Sequence, residues 1–373
     1  MGTITQSIAN NLTTGLGGAS GINFRNIIIN GDMSIAQRGT STASITSDGY
    51  YTVDRFTTEI GSFGTWTQSQ ASDAPSGQGF NLSLKMDCTT AQGSPGSGAI
   101  MLVGQSIEGN MLQAIKQGTA NAQSTTLSFW HKHTKTGTNI VELLDADNNN
   151  AVSGSYTQSV SDTWEKATIT FPANTSGTYG NDTARSLRIR FIIGAGTDYS
   201  SGTLATTWQT SITNANRYAG QVNNADSTSN NFMITGVQYE VGTTASDFEF
   251  LPYEVNRDRC YRYYYKLSSS GLKYVGWGQV DNDNLNIVAY IDFKTNMRTA
   301  PTAVETTGSA SNYQIREAIT TTCSAVPTFN NADLWYSALS FKKSGVNSSP
   351  GYAQGEMVKC GINSGYLAWS AEL

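Results

Sequence analysis

Residues 186–193 read Ser-Leu-Arg-Ile-Arg-Phe-Ile-Ile, and their alternation decides the fold. Successive side chains of an extended chain point to opposite faces, so Leu187, Ile189, Phe191 and Ile193 share one side and Arg188 and Arg190 the other. The apolar side is a core face; the arginines read as a solvated one. The same period of two recurs in Ala167, Ile169 and Phe171, and in Leu127, Phe129 and His131. Clusters of turn residues at 91–97, 145–150, 174–182 and 223–231 separate these runs, and no long helical pattern intervenes. Many short strands at such spacing predict an all-β chain, with antiparallel sheets packed face to face as a jelly roll or β-sandwich.

Working outward, a short charged run (Glu254, Arg257, Asp258, Arg259) after Pro252 marks a boundary and reads as one helical turn. Tyr261 to Tyr265 then opens a strand. Leu285, Ile287, Ala289, Ile291 and Phe293 alternate with polar partners, and Tyr366 to Trp369 read as a paired C-terminal strand. Residues 24–253 thus form the jelly-roll domain and 254–373 a second, smaller β-sandwich domain. Residues 1–23 are uncharged and form a short N-terminal anchoring segment. Its Ile4, Ile8, Leu12 and Leu16 recur every four residues, along one stripe of a short helix, and are the docking candidates. A loose terminus with accidental spacing is the alternative, because so short a helix is marginal in water.

Composition excludes several functions. Charged residues make up 14% of the 373, below the usual quarter or so, while aromatics stay at 10%, which suits a folded chain with a polar, uncharged surface. The net charge is −5 and no cluster of Lys and Arg suits a phosphate backbone, so nucleic acid is not an expected partner. No window approaches the ~18 apolar residues of a membrane span. No basic residue precedes Arg25, and the start lacks the compact apolar run of a signal peptide. Release by cell lysis is one route that needs none. Cys88, Cys260, Cys323 and Cys360 lie far apart and form no Cys-x-x-Cys pair, so they read as buried free thiols, with a distant disulfide left open.

Catalytic motifs are missing: there is no Gly-x-Ser-x-Gly elbow, no phosphate loop and no His-Glu-x-x-His helix, so the expectation is a protein without enzymatic activity. His131 and His133, two apart, would project from the same side of a strand; with no third ligand evident they read as partly exposed strand histidines. Asp145, Asp147 and Asn149 mimic the start of a calcium loop, but Asn150 and Tyr156 stand where that loop needs Gly and Glu, so a polar hairpin turn is expected. Aromatic rings are the better lead. Sugars stack their apolar faces on Trp and Tyr. Trp277, between two glycines, and Trp335 with Tyr336 read as exposed loop residues and are the glycan-binding candidates; the competing reading buries them in the core.

Several motifs then fall in order: NIIINGDMSIAQRG at 26–39, YTVDRF at 51–56, Ser128-Phe129-Trp130, Trp164-Glu165-Lys166, and Ile234 to Gly242 (ITGVQYEVG), followed by Phe248, Pro252 and CYRYY at 260–264. MRTAPT at 297–302 and the ending Ala371-Glu372-Leu373 complete the set. As a set they resemble bacteriophage tail-fibre and appendage proteins with a carbohydrate-binding-module-like jelly roll. The resemblance implies a non-catalytic virion structural protein, made in the host cytoplasm and assembled as a homo-oligomer, a trimer in the usual case. Its partners would be other virion proteins, reached through the N-terminus, and host cell-surface glycans, with a receptor-binding tip at 254–373. A purely architectural neck or head-decoration fibre is the alternative. The resemblance also allows a structural calcium near Asp32 and Asn230 or Asn231, where asparagine offers a hard cation less charge than aspartate; calcium stays open.

Overall fold

The computed structural model describes residues 24–281, 286–316, 320–343, 355 and 357–373. The docking candidates Ile4, Ile8, Leu12 and Leu16 lie outside the described residues. The chain divides into two compact units, Met1–Pro252 and Tyr253–Leu373.

The first unit carries β1 Ser41–Ile45, β2 Gly49–Tyr50, β3 Thr57–Gly61, β4 Thr65–Ala71, β5 Ser83–Thr90, β6 Ile100–Glu108, β7 Thr125–His133, β8 Gly137–Asp145, β9 Asn150–Gln158, β10 Glu165–Phe171, β11 Arg185–Ala195 and β12 Asn231–Val241. Two antiparallel six-stranded sheets result, ordered β1-β4-β5-β12-β7-β10 and β2-β3-β6-β11-β8-β9. This is a jelly-roll sandwich. Its core is built from inward alternation: Leu127 and Phe129 from β7, Val141 and Leu143 from β8, and Leu187, Ile189, Phe191 and Ile193 from β11 are all buried in one cluster.

The motifs at 26–56 and 234–242 hold this sandwich shut. Asn26 donates from Nδ2 to the Val237 carbonyl and accepts from Tyr239 N–H, so the entering segment is stitched to β12. A Cβ on Gly31 would lie 2.1 Å from the Val237 carbonyl oxygen, so only glycine lets the two backbones approach there. Asn30 donates to the Ile35 and Asp54 carbonyls and accepts from Ile35 N–H, and Arg55 donates to the Ser106 carbonyl. At the far end Glu240 accepts from Ser246, and Gln238 accepts from Glu249 N–H.

Two expectations about this unit need correction. Arg188 and Arg190 do not lie on a solvated face. Residues between β11 and β12 return across the outer side of the second sheet, where Tyr218 packs with Leu102, Ile140 and Ile192, and Arg217 bonds Glu142 at 2.6 and 2.8 Å. Arg190 bridges Glu142 and Glu59, and Arg188 also meets Glu59. Nor are His131 and His133 partly exposed: both are buried in the core, because the outward positions of β7 are the half-buried Trp130 and Lys132. The expected polar hairpin at 145–150 does form, with Asp145 paired to Asn150 and accepting from Asn148 N–H and Gln117 Nε2.

The second unit opens with α1 Tyr253–Tyr261, longer than the single turn expected, so Tyr261 ends a helix and does not start a strand. Its strands are β13 Tyr264–Ser269, β14 Lys273–Val280, β15 Asn286–Asp292, β16 Glu305–Thr306, β17 Tyr313–Arg316, β18 Thr320–Thr322, β19 Thr328–Ala332, β20 Tyr336–Lys342, β21 Met357–Ile362 and β22 Gly365–Ser370. They make a seven-stranded sheet, β18-β17-β21-β14-β15-β20-β19, and a three-stranded one, β13-β22-β16. The core between them holds Ile287, Ile291, Phe341, Val358, Cys360 and Trp369. All four cysteines of the chain are buried free thiols.

Candidate functional site

The seven-stranded sheet sets its apolar residues inward and leaves a row of rings on its outer face. On β14, Gly276 and Gly278 point toward the strand beside them, while Trp277 points out and is 55% exposed. The glycines are there for closeness. A Cβ on Gly276 would lie 2.7 Å from the Tyr290 carbonyl oxygen, and one on Gly278 would lie 2.4 Å from Ile287 Cγ2. Trp277 is therefore a mid-strand residue, correcting the loop expected from its glycine neighbours.

Register then assembles the site. Trp277 stands opposite Lys359 of β21 on one side and Tyr290 of β15 on the other. Tyr290 is 56% exposed, and its ring centroid lies 5.7 Å from that of Tyr336, the first residue of β20. Trp335, immediately before, is 60% exposed. The structure thus joins Trp277 to Tyr336 through Tyr290, a ring that single-strand reading passed over because its importance comes from a neighbour on another strand. Lys359 Nζ sits 5.1 Å from the Trp277 ring centre and 5.5 Å from that of Tyr274, within cation–π range. Arg316 donates from Nη1 to the Tyr274 hydroxyl at 3.2 Å, and this bond holds the Tyr274 phenol below its ordinary value. With strands about 4.8 Å apart, the row from Lys359 to β20 spans roughly 14 Å, the reach of a short oligosaccharide.

Such a surface offers flat apolar faces flanked by donors. Among the described residues it does not gather reactive groups. In the first unit Glu59 and Glu142 are both engaged by Arg190, and Glu142 is fully buried beneath Arg217 and Tyr218. His131 donates from Nδ1 to Gln158 Oε1 at 2.8 Å, and His133 bonds the Tyr156 hydroxyl at 3.0 Å; burial pushes both rings below the ordinary histidine range. For calcium, Asp32 accepts from Ser34, and Asn230 turns its amide onto Asp226. Among the described residues no three His, Cys, Asp or Glu side chains gather as a metal site.

No family model and no curated protein matches this chain. Solved structures with some likeness include the enzymatically active domain of tailspike protein 4 of bacteriophage CBA120, at 16% identity and a TM-score of 0.30, covering 58% of this chain and 21% of that one. The chain therefore spans about a fifth of that tailspike structure. A family 11 carbohydrate-binding module from a cellulosomal cellulase of Clostridium thermocellum shows 12% identity and a TM-score of 0.29, over 54% of this chain and 99% of the module. The tandem carbohydrate-binding modules of a Paenibacillus barcinonensis protein show 7% identity and a TM-score of 0.28, over 95% and 100%. At these values no residue role passes from them to this chain.

Proposed function

We propose that this chain is a non-catalytic structural subunit of a bacteriophage tail fibre or appendage, and that its second unit binds host-surface glycans along the outer face of the seven-stranded sheet. One observation carries the glycan reading: Trp277 and Tyr290, both exposed, stand opposite each other on β14 and β15, and Tyr290 in turn lies beside the Tyr336 ring, with Lys359 and Arg316 flanking them on one sheet face. Large exposed rings aligned on one sheet face are costly to leave wet and suit the apolar face of a sugar. The virion setting rests on the ordered motifs at 26–56, 128–130, 164–166 and 234–264. In this reading residues 1–23, through Ile4, Ile8, Leu12 and Leu16, dock the subunit on other virion proteins. Trimeric assembly then presents several weak sites together, and multivalency multiplies their affinity by roughly 10²–10⁴.

Binding of the full-length protein to a glycan array, beside Trp277→Ala and Tyr290→Ala variants, tests the proposal. Selective binding that either variant loses, with an unchanged melting temperature, is the expected result. Uniform silence across host-derived glycans, together with failure of the purified protein to block phage adsorption, would favour the architectural alternative. Release of reducing sugar from host polysaccharide would overturn the non-catalytic reading.

A further inference from the structure

We infer that the ligand of this face is an anionic saccharide, one bearing carboxylate or phosphate groups, whose charge is received by a lysine-lined cleft beside the ring row. The inference rests on the glycan reading above and narrows it to a chemical class.

Beside Tyr274 the second unit carries a cleft of about 310 Å³, lined among others by Tyr265, Lys266, Lys273, Tyr274, Asp292 and Lys294. Three ammonium groups therefore border it against one carboxylate. Lys273 and Lys294 are exposed, and among the described residues neither they nor Lys359 has a carboxylate within ion-pairing distance. Lys266 lies over the Tyr366 ring, its ammonium 4.4 Å from the ring centre. Tyr274 belongs to both features: it lines the cleft and shares Lys359 with Trp277. A bound chain can thus stack on the row and place a charged substituent in the cleft without a gap in contact.

The distribution of charge over the sequence points the same way. Residues 253–373 hold 11 of the chain's 23 Lys and Arg and 10 of its 28 Asp and Glu, a balance of +1, whereas residues 1–252 carry the other 12 and 18, a balance of −6. The cationic side chains thus stand out against an acidic chain, and five of the 11 (Lys266, Lys273, Lys294, Arg316 and Lys359) border the cleft or the row. Ammonium groups beside aromatic faces suit a ligand that is apolar on one side and anionic at its edge.

The test uses the full chain and three labelled probes: an oligogalacturonate for the carboxylate, a phosphorylated mannose oligomer for the phosphate, and a neutral galactose oligomer. Binding is measured at 50 and 500 mM salt for the native protein, for Lys273→Glu/Lys294→Glu, and for Trp277→Ala. The expected result is a preference of about tenfold or more for one or both anionic probes, lost at high salt and in the double-lysine variant. Trp277→Ala weakens every probe that binds. Whichever anionic probe binds better identifies the anion. Equal binding of neutral and anionic probes, unmoved by salt or by the lysine changes, would overturn the anion inference and leave the glycan reading intact. Trp277→Ala binding as well as the native protein would overturn the ring row itself. The lysines are surface residues, and an unchanged melting temperature of the double variant separates lost binding from lost folding.

Discussion

Acidification should destabilise the first unit through two buried histidines, and the size of the effect can be worked from their surroundings. The His133 ring stacks on Phe232, with centroids 4.0 Å apart at 11°, and its Nε2 bonds the Tyr156 hydroxyl. Its Nδ1 is buried and makes no hydrogen bond, and the Lys132 backbone offers a second ring proton only a smaller opposing stabilisation. Burial first, and the nearby His131 second, push its pKa well below the ordinary value. His131 is also lowered by burial, an effect partly offset by the bond to Gln158 and the field of Glu165. Because the folded pKa is depressed, the unfolded chain binds the extra proton. Stability is therefore complete above about pH 6.5 and is lost as pH falls toward the folded value. At pH 5 a histidine that stays neutral in the fold but titrates near 6.5 when unfolded costs about 2 kcal/mol. His133 should pay nearly all of that and His131 a part. For a unit of this size 2 kcal/mol lowers the melting temperature by about 4–8 °C. Thermal unfolding followed by circular dichroism between pH 7.5 and 5 reads the effect, above the range where most carboxylates titrate. In His133→Phe, which keeps a flat ring against Phe232, the decline should shrink to the share of His131. A native protein with the same melting temperature at pH 7.5 and pH 5, or a His133→Phe variant that declines as steeply as the native chain, would refute the reasoning.

Three further outcomes follow from particular contacts. Glu142→Gln leaves Arg190 and Arg217 without their shared buried carboxylate and should cost about 3–5 kcal/mol in urea unfolding; a loss under 1 kcal/mol would mean the network is wetter than its burial implies. In Gly276→Ala the added methyl meets the Tyr290 carbonyl, so the second unit should lose about 1–3 kcal/mol and glycan affinity should fall as Trp277 shifts, both readable from one preparation. Burial pushes the Cys323 thiol up to about 12 and raises Cys88 and Cys360 as well, so a thiol reagent at pH 8 should label none of the four cysteines until denaturant is added. Rapid labelling of Cys323 in the folded protein would contradict its burial.

The sheets were legible in the sequence because a strand with one buried face writes its own period. Leu187, Ile189, Phe191 and Ile193 point where their alternation says, and so do Ile287, Ala289 and Ile291. What alternation cannot register is a return of the chain. Arg188 and Arg190 look solvated until residues after β11 come back over them and supply Arg217 and Tyr218 to Glu142. The Trp-His-Lys-His run misled for a related reason: polar residues on both faces conceal which face is inward, and Tyr156 and Gln158, from another strand, make the inner one tolerable for imidazole. The glycines around Trp277 suggested a turn, because the same lack of a side chain serves both a sharp bend and a close strand contact. Tyr290 gave no signal of its own. Its place beside Trp277 comes from pairing between β14 and β15, and a reader of single strands could have reached it by aligning those two runs as a hairpin across the polar residues at 281–284.

The division of labour between the units follows from which side chains are already occupied. In the motifs at 26–56 and 234–242, Asn26, Asn30, Asp54, Arg55, Gln238 and Glu240 spend their donors and acceptors on backbone and side-chain groups of their own unit. A group engaged in this way gains little by turning to a ligand, since it would leave a buried partner unsatisfied, at about 1–3 kcal/mol each. The outer side of the second sheet is likewise closed by Tyr218, Leu204 and Tyr199 over Leu102, Ile140 and Ile192. The polar residues of the segments at 26–56 and 234–242 therefore serve the fold of the first unit. In the second unit the position is reversed: Trp277 and Tyr290 have no buried partner to abandon, and Lys273 and Lys294 have no carboxylate within ion-pairing distance among the described residues. A ligand there removes ring surface from water and supplies the missing counter-charge, so the free energy of binding is not first spent on breaking the fold.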